Sequence, residues 1–375
     1  MTERRTPARS SRSQRSPASR DALASLLNEF DIRPPGEVEF KLVSRWAAKH
    51  VWKVEVNGRP WAFIRYLLGS ADSFVDRWRH LRLGVELYEA HVGPRILGES
   101  SSSEALGGRA VIVEAALEIL PREQLEGRAE EAMGLFARLH GCAPLLESLS
   151  QDVTEADRLA FSPLANLFRE TQERWFEAVA GRWLEVGLHQ ISDVTEIVSE
   201  IIQTVKSVDQ GTGKIGIVVP THNDPNHGNF MINRSGALRM IDFEGLALSN
   251  PVADLGIFLT WYVDPQHHFE VLTKYPLADP YAVLSRMKVW VPLKYLNIAA
   301  HWASRLTHAT DRDSWEFAAH SIDEWLRGAA ELIDGGEISE SMSKRLAGAL
   351  ESLLAEPFPR QLPENPDSPS FDVGT

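Results

Sequence analysis

From Asp21 to Asp31 apolar residues recur at helical spacing (Leu23, Leu26, Leu27, Phe30) until Pro34-Pro35-Gly36 breaks the pattern, which predicts a short leading helix. The period then changes. Val38–Val43, Val51–Val56 and Trp61–Leu67 read as strands, and Asn57-Gly58 stands where a type I′ turn joins two of them. A helix is expected over Phe74–His91, with Val75, Trp78, Leu81, Val85 and Tyr88 on one stripe and Val92-Gly93-Pro94 as its stop. Two further strands, Arg95–Leu97 and Ala110–Glu114, are expected on either side of the polar loop Glu99–Gly108. Together these elements predict a small antiparallel-sheet lobe over 21–114, followed by a hinge at 115–121.

Beyond the hinge the helical period dominates. It runs through Ala132, Leu135, Phe136 and Leu139, again from Leu164 to Ile202, and from Pro251 to Ala355, with short β-like runs at Ile215–Val219, Phe230–Ile232 and Leu238–Ile241. A larger, mainly helical second lobe over 122–355 is the expectation. The Arg- and Ser-rich segment 1–20 and the Pro-rich tail 356–375 read as a disordered basic arm and a disordered tail.

Composition narrows the class. Of 375 residues 43% are hydrophobic and 24% charged, as in a soluble globular protein. No apolar run approaches the roughly 18 residues a membrane span needs. The basic arm lacks the apolar stretch of a secretory signal, and Cys142 is the single cysteine, which excludes an intramolecular disulfide. A cytoplasmic location follows as the expectation. The net charge of −13, carried on a body more acidic than the whole because the arm holds six arginines, argues against nucleic acid and for a cationic small-molecule partner.

The stretch His222-Asn223-Asp224-Pro225-Asn226-His227-Gly228-Asn229, followed by Asp242, carries the candidate chemistry. If 233–237 is a turn around Ser235-Gly236, the flanking strands pair antiparallel and Asn229 faces Asp242. An amide oxygen and a carboxylate so placed are oxygen ligands suited to Mg²⁺. Asp224, in the polar loop just before, is then a carboxylate able to take a hydrogen bond from a hydroxyl and aim it at a phosphoryl group.

His222-x-Asp224-x-x-x-x-Asn229 with a following Asp242 resembles the catalytic segment of the aminoglycoside phosphotransferase and choline kinase family. Asn223, where that family's antibiotic kinases usually carry Gly, is closer to the choline and ethanolamine kinase branch. The resemblance implies an α+β, two-lobed protein-kinase-like fold, with a small antiparallel-sheet N-lobe and a larger helical C-lobe. It implies an ATP- and Mg²⁺-dependent small-molecule kinase: Asp224 as catalytic base, His222 shaping its loop, and Asn229 and Asp242 as metal ligands. Asp254 is implied to brace the catalytic loop. Arg65 falls where the family places the cation that holds the phosphates, with Asp76 as its acidic partner, and Glu114 and Ala116 fall at the adenine hinge. For the acceptor, Trp261, Asp264 and Trp302 combine aromatic faces and an acid of the kind that holds ammonium groups.

The sequence departs from the family in the phosphate-covering turn, where 44–50 contains no glycine. That departure keeps open an inactive, nucleotide-binding module as an alternative to the kinase. A metal-dependent hydrolase using His222, Asp224 and His227 is a second alternative.

Overall fold

The computed structural model describes residues 17–45, 49–68, 83–150, 163–185, 188, 191–209, 218–307, 309, 311–334 and 340–355. Most of the basic arm, the centre of the glycine-free turn, the front of the helix expected at Phe74–His91 together with Asp76, and the tail lie outside these residues. The described chain forms two compact units. One holds residues up to Pro121 together with His227–Glu244; the other holds Arg122–Asn226 and the chain from Gly245 onward.

The first unit is built on a five-stranded antiparallel sheet of β1 (Val38–Arg45), β2 (Lys49–Val56), β3 (Arg59–Leu67), β4 (Ile96–Ser103) and β5 (Arg109–Ala115), in the order β1-β2-β3-β5-β4. The β2–β3 turn is the expected one, with Asn57 at φ 51° and Gly58 at φ 76°, the left-handed pair that a type I′ turn requires. Strand alternation puts Phe40, Trp52, Val54, Ala62, Ile64, Tyr66, Val111 and Val113 on one face. There they pack under Leu23, Leu26 and Leu27 of helix α1 (Arg20–Glu29). Ser19 caps α1 by accepting from the Ala22 N–H at 3.2 Å. Gly98 lets Phe30 come close, because a Cβ there would stand 2.4 Å from the Phe30 ring.

The loop expected at Glu99–Gly108 is a correction. Glu99–Ser103 continues β4, paired with β5 through Glu99↔Ile112 and Ser100↔Val111, and only the following residues turn. β4 lies at the edge of the sheet, where polar side chains face solvent and leave no apolar alternation to read. The expected hinge also contains structure. Strand β6 (Glu118–Ile119) pairs with β8 (Phe230–Ile232), which pairs with β9 (Leu238–Met240).

In the second unit a two-stranded ribbon pairs β7 (Val219–Thr221) with β10 (Ala247–Ser249). Helices make the rest: α2 (Ala129–His140), α3 (Pro163–Gln172), α4 (Ile191–Asp209), α5 (Val252–Tyr262), α6 (Pro280–Leu306), α7 (Arg312–Asp334) and α8 (Glu340–Ala355), with shorter turns between them. The chain leaves α3 through a π-helical turn, Glu173–Val179. The buried indoles of Trp175 and Trp183 donate to the carbonyls of Leu296 and Ala303, both at 2.9 Å, and so fix this segment and the next against α6. Among the described residues no helix is long and apolar enough to cross a membrane.

Candidate active site

In the first unit the site starts from the sheet face that α1 does not cover. Arg65 on β3 stands opposite Ile112 on β5, and Glu114 lies two residues further along β5, hence on the same face. Arg65 Nε donates to Glu114 Oε2 at 2.8 Å, and both side chains are about 15% exposed. The Glu114 carboxylate holds the guanidinium above its ordinary pKa, burial opposes it, and the charge of Asp242 adds to the rise. Arg65 is therefore a cation kept charged by Glu114 at contact and by the field of Asp242, both in its own unit. Glu114 was expected to act at the hinge through its backbone; its side chain is the described partner of Arg65, while Asp76 lies outside the described residues. The Ala116 N–H is engaged by the Trp61 carbonyl at 2.9 Å.

The β8–β9 hairpin forms as the turn chemistry demands, with one correction of register. The pairs are Phe230↔Met240, Met231↔Arg239 and Ile232↔Leu238, and the Ile241 N–H donates to the Asn229 carbonyl at 3.0 Å. Asn229 thus faces Ile241, and Asp242 comes one position later. The cause is a loop with an odd number of residues. The Asn233 N–H donates to Ala237 O, the Asn233 carboxamide oxygen accepts from the N–H groups of Ser235 and Ala237 at 3.0 and 2.9 Å, and Gly236 takes φ 79°. Asn229 ends a 3₁₀ turn and is buried, whereas Asp242 is exposed and itself sits at φ 62°. A left-handed aspartate is uncommon and concentrates at functional sites. Amide and carboxylate oxygens of this kind fit a hard cation such as Mg²⁺, which keeps several waters and takes few protein ligands.

In the second unit the loop after β7 is held by a fully buried aspartate. Asp254, in the first turn of α5, accepts the main-chain N–H of His222 on Oδ2 and that of Asn223 on Oδ1, both at 2.7 Å. His140 Nε2 lies 3.0 Å from the same Oδ2, and His140 Nδ1 lies 2.8 Å from the Tyr275 hydroxyl. Burial pushes the Asp254 carboxyl up, but the hydrogen bond from His140, the charges of His140 and His222 and the His222 N–H outweigh it, and the net pKa lies below the usual value. Burial, with the Asp254 charge, also raises the Tyr275 hydroxyl. The brace expected at Asp254 is therefore present. His140 and Tyr275 were not anticipated, and the only trace in the sequence is a histidine that follows the apolar stripe of α2.

The loop so braced presents Asp224. Asn223 adopts φ 64°, and its side chain donates to the Gly245 carbonyl at 2.9 Å. That conformation explains why Gly or Asn suits the position after the histidine, since both enter the left-handed region at low cost. His222 is fully buried and its Nδ1 accepts the Asp224 N–H at 3.3 Å, a loop-shaping contact. The Asp224 side chain is exposed and accepts from Asn226 Nδ2 at 2.8 Å.

The three acceptor candidates fall in different surroundings. The Trp261 indole donates to the Tyr295 hydroxyl at 2.9 Å and its ring lies 5.7 Å from that of Trp325. Asp264 caps the next turn by accepting from the Gln266 N–H at 3.0 Å. Trp302 packs edge-on to Phe317 at 5.2 Å and carries the Arg305 guanidinium 5.2 Å from its centroid. Among the described residues no three His, Cys, Asp or Glu side chains are grouped to hold a metal, so the hydrolase alternative at His222, Asp224 and His227 finds no support.

Residues 39–273 match a family described as phosphotransferase enzymes. Among solved structures, the chain is similar to a Plasmodium vivax ethanolamine kinase, with 13% identity, a TM-score of 0.55 and 83% of this chain and 89% of that one covered. It is also similar to an AMP-bound spectinomycin phosphotransferase, with 10% identity, a TM-score of 0.56 and 84% and 98% covered. An ADP-bound aminoglycoside phosphotransferase aligns with 15% identity, a TM-score of 0.51 and 84% and 99% covered. At these identities the likeness carries the fold: a kinase-like α+β architecture with a small antiparallel-sheet unit and a larger helical one.

Proposed function

The chain belongs to the phosphotransferase enzyme family, and from that premise we propose that it transfers the terminal phosphoryl group of ATP to a hydroxyl of a small molecule in the cytoplasm. The observation that carries the reading is the grip of Asp254 on two successive main-chain N–H groups, His222 and Asn223, which leaves Asp224 exposed at the tip of a fixed loop. A carboxylate on a rigid loop is preorganised to orient a hydroxyl, and positioning supplies most of what phosphoryl transfer asks of a protein.

In this reading the acceptor hydroxyl donates its proton to Asp224 as its oxygen forms the new bond to phosphorus and ADP departs. Arg65, kept charged by Glu114, neutralises the donor phosphates. Asn229 and Asp242 are the residues that would hold Mg²⁺, which would neutralise the charge of the donor phosphates. The adenine edge would meet main-chain groups around Ala116 other than its N–H, which the Trp61 carbonyl holds. The cationic class of acceptor expected from the net charge rests on long-range field and on aromatic residues that already have partners within the fold, so the charge of the acceptor is better judged beside Asp224.

The test is a coupled ADP-release assay on the full chain with ATP and Mg²⁺ across small hydroxylated compounds, with mass spectrometry for the phosphorylated product. Asp224→Ala is expected to lower kcat by at least about 100-fold while ATP still binds. Unchanged turnover in that variant would refute the assignment, and nucleotide binding with no phosphorylated product from any acceptor would favour an inactive module.

A further inference from the structure

Helix α6 is apolar for most of its length, and its residues Leu293, Tyr295, Leu296, Ala299 and Ala300 are buried. Polar side chains interrupt it at Lys294, Asn297 and His301. Their spacing of three and then four residues places them on one face over two turns, about 10 Å. Lys294 is half-buried and makes no ion pair or hydrogen bond among the described residues. Asn297 is 7% exposed, and its Oδ1 is buried without a hydrogen-bond partner among them. A buried acceptor left in this state costs stability.

The surroundings of Lys294 point to a ligand. Burial pushes its ammonium below the ordinary value; Asp224, Asp254 and Glu170 act against that push, and Arg174 adds to it. The exposed Asp224 carboxylate, the proposed base, is thus the largest opposing charge that Lys294 feels. Arg174, on the π-helical turn that Trp175 pins to α6, also acts on His301, whose pKa burial lowers, with Arg305 and Arg174 contributing. Arg174 is ion-paired to Glu170 at 2.6 Å, whereas Lys294 lies within reach of the Asp224, Asp254 and Glu170 carboxylates without a salt-bridge partner among the described residues. Short π-helical turns are themselves frequent at functional sites.

We propose that Lys294 and Asn297, with His301 one turn beyond, form the acceptor-binding strip beside Asp224, and that the natural acceptor carries an anionic group near the hydroxyl that is phosphorylated. This rests on Asp224 being the base. Lys294 takes the anion, a carboxylate or phosphate monoester, and Asn297 Oδ1 takes a further hydroxyl of a polyhydroxylated acceptor. The acidic net charge of the whole chain does not decide the matter. Surface charges are screened over about 8–10 Å in physiological salt, whereas a half-buried ammonium acts at contact and is screened far less.

The experiment uses the full chain with ATP and Mg²⁺ against three arms: hydroxy-carboxylates (glycerate, gluconate), a hydroxylated phosphate monoester (glycerol 3-phosphate), and cationic acceptors (choline, ethanolamine, kanamycin). Turnover is expected on an anionic arm, and which one identifies the anion. Lys294→Met is expected to raise the acceptor KM by about 10- to 100-fold with the ATP KM unmoved, and Lys294→Arg to recover part of the loss. Asn297→Ala is expected to weaken the same acceptor without affecting ATP. Turnover confined to the cationic arm, or an anionic KM indifferent to Lys294→Met, overturns the proposal while leaving the kinase reading intact. Loss of turnover in Asp224→Ala on whichever acceptor works keeps the two separable. Where no arm turns over, calorimetric binding of the anionic compounds decides: binding lost in Lys294→Met supports the strip, and binding that is absent or unchanged overturns it. Lys294→Met removes a buried charge, so its thermal midpoint is expected to hold or rise, and a fall would mean that Lys294 serves the fold.

Discussion

Arg65 and Glu114 meet diagonally across two neighbouring strands, with Nε 2.8 Å from Oε2 and both groups largely removed from water. Breaking a buried pair by deleting one partner leaves an uncompensated charge, which typically costs about 3–5 kcal/mol. Here Asp242 remains to soften it. Glu114→Ala is therefore expected to cost about 3 kcal/mol in urea unfolding and to weaken ATP binding. Glu114→Gln, which keeps an acceptor for the Arg65 N–H, is expected to lose less on both counts. Full stability and full nucleotide affinity in Glu114→Ala would show that the pair supports neither the sheet nor the phosphates.

That pair shows where sequence reading reached its limit. Alternation in Ala62, Ile64 and Tyr66 was enough to place β3 and its buried face, and the Asn57-Gly58 turn fixed its pairing with β2. The partner of Arg65 depends on which residue of a strand 49 positions away falls two places from the opposite one, a matter of long-range register that local pattern does not encode. The β8–β9 hairpin shows the same limit within one turn. Its existence was legible from Ser235-Gly236, but whether the loop holds an odd or even number of residues moved Asn229 from Asp242 to Ile241. His140 lies 114 residues from Asp254 and announces itself by nothing but its place at the end of an apolar stripe. Edge strand β4 was missed beyond Leu97 because a run of serines has no apolar alternation to detect.

Asn223 occupies the left-handed region with its carboxamide tied to Gly245 O. Asn223→Gly is expected to keep the loop conformation at the loss of one hydrogen bond, about 1 kcal/mol, with kcat close to wild type. Asn223→Val adds a β-branched side chain that resists φ near 64° and is expected to lower kcat far more than it alters the ATP KM. Equal kcat in the two variants would mean that the backbone conformation at this position does not govern how Asp224 is presented.

Asp242 is left-handed as well, so a substitution there can confuse backbone strain with loss of charge. Asparagine tolerates the conformation and has nearly the same size. Asp242→Asn is expected to keep the thermal midpoint of the wild type within about 2 °C, for a change of under 1 kcal/mol in a chain of this size. It is also expected to abolish the Mg²⁺ dependence of ATP binding in calorimetry, and chelation of divalent ions is expected to reproduce that loss in the wild type. Retained Mg²⁺ dependence in the variant would remove Asp242 from the metal site.

The most distinctive pH behaviour belongs to Asp254. Its carboxyl, fully buried, has a folded pKa below the ordinary value because His140 and the His222 N–H favour the charged form more than burial opposes it. A carboxylate with a depressed folded pKa binds fewer protons than its unfolded counterpart. The stability it contributes is therefore complete above the unfolded pKa of about 3.9, and it is lost as pH falls through the lower folded value. Asp254→Asn replaces one of two accepting oxygens with a donor facing an N–H, and at pH 7 it is expected to cost about 3 kcal/mol and to lower kcat by loosening the Asp224 loop. Measured by urea unfolding, the gap between wild type and variant should hold from pH 7 to pH 5 and close only below about pH 4. A gap that closes already between pH 7 and pH 5 would show that Asp254 is not the ionised centre of this cluster, and the rigidity ascribed to the loop would need another source.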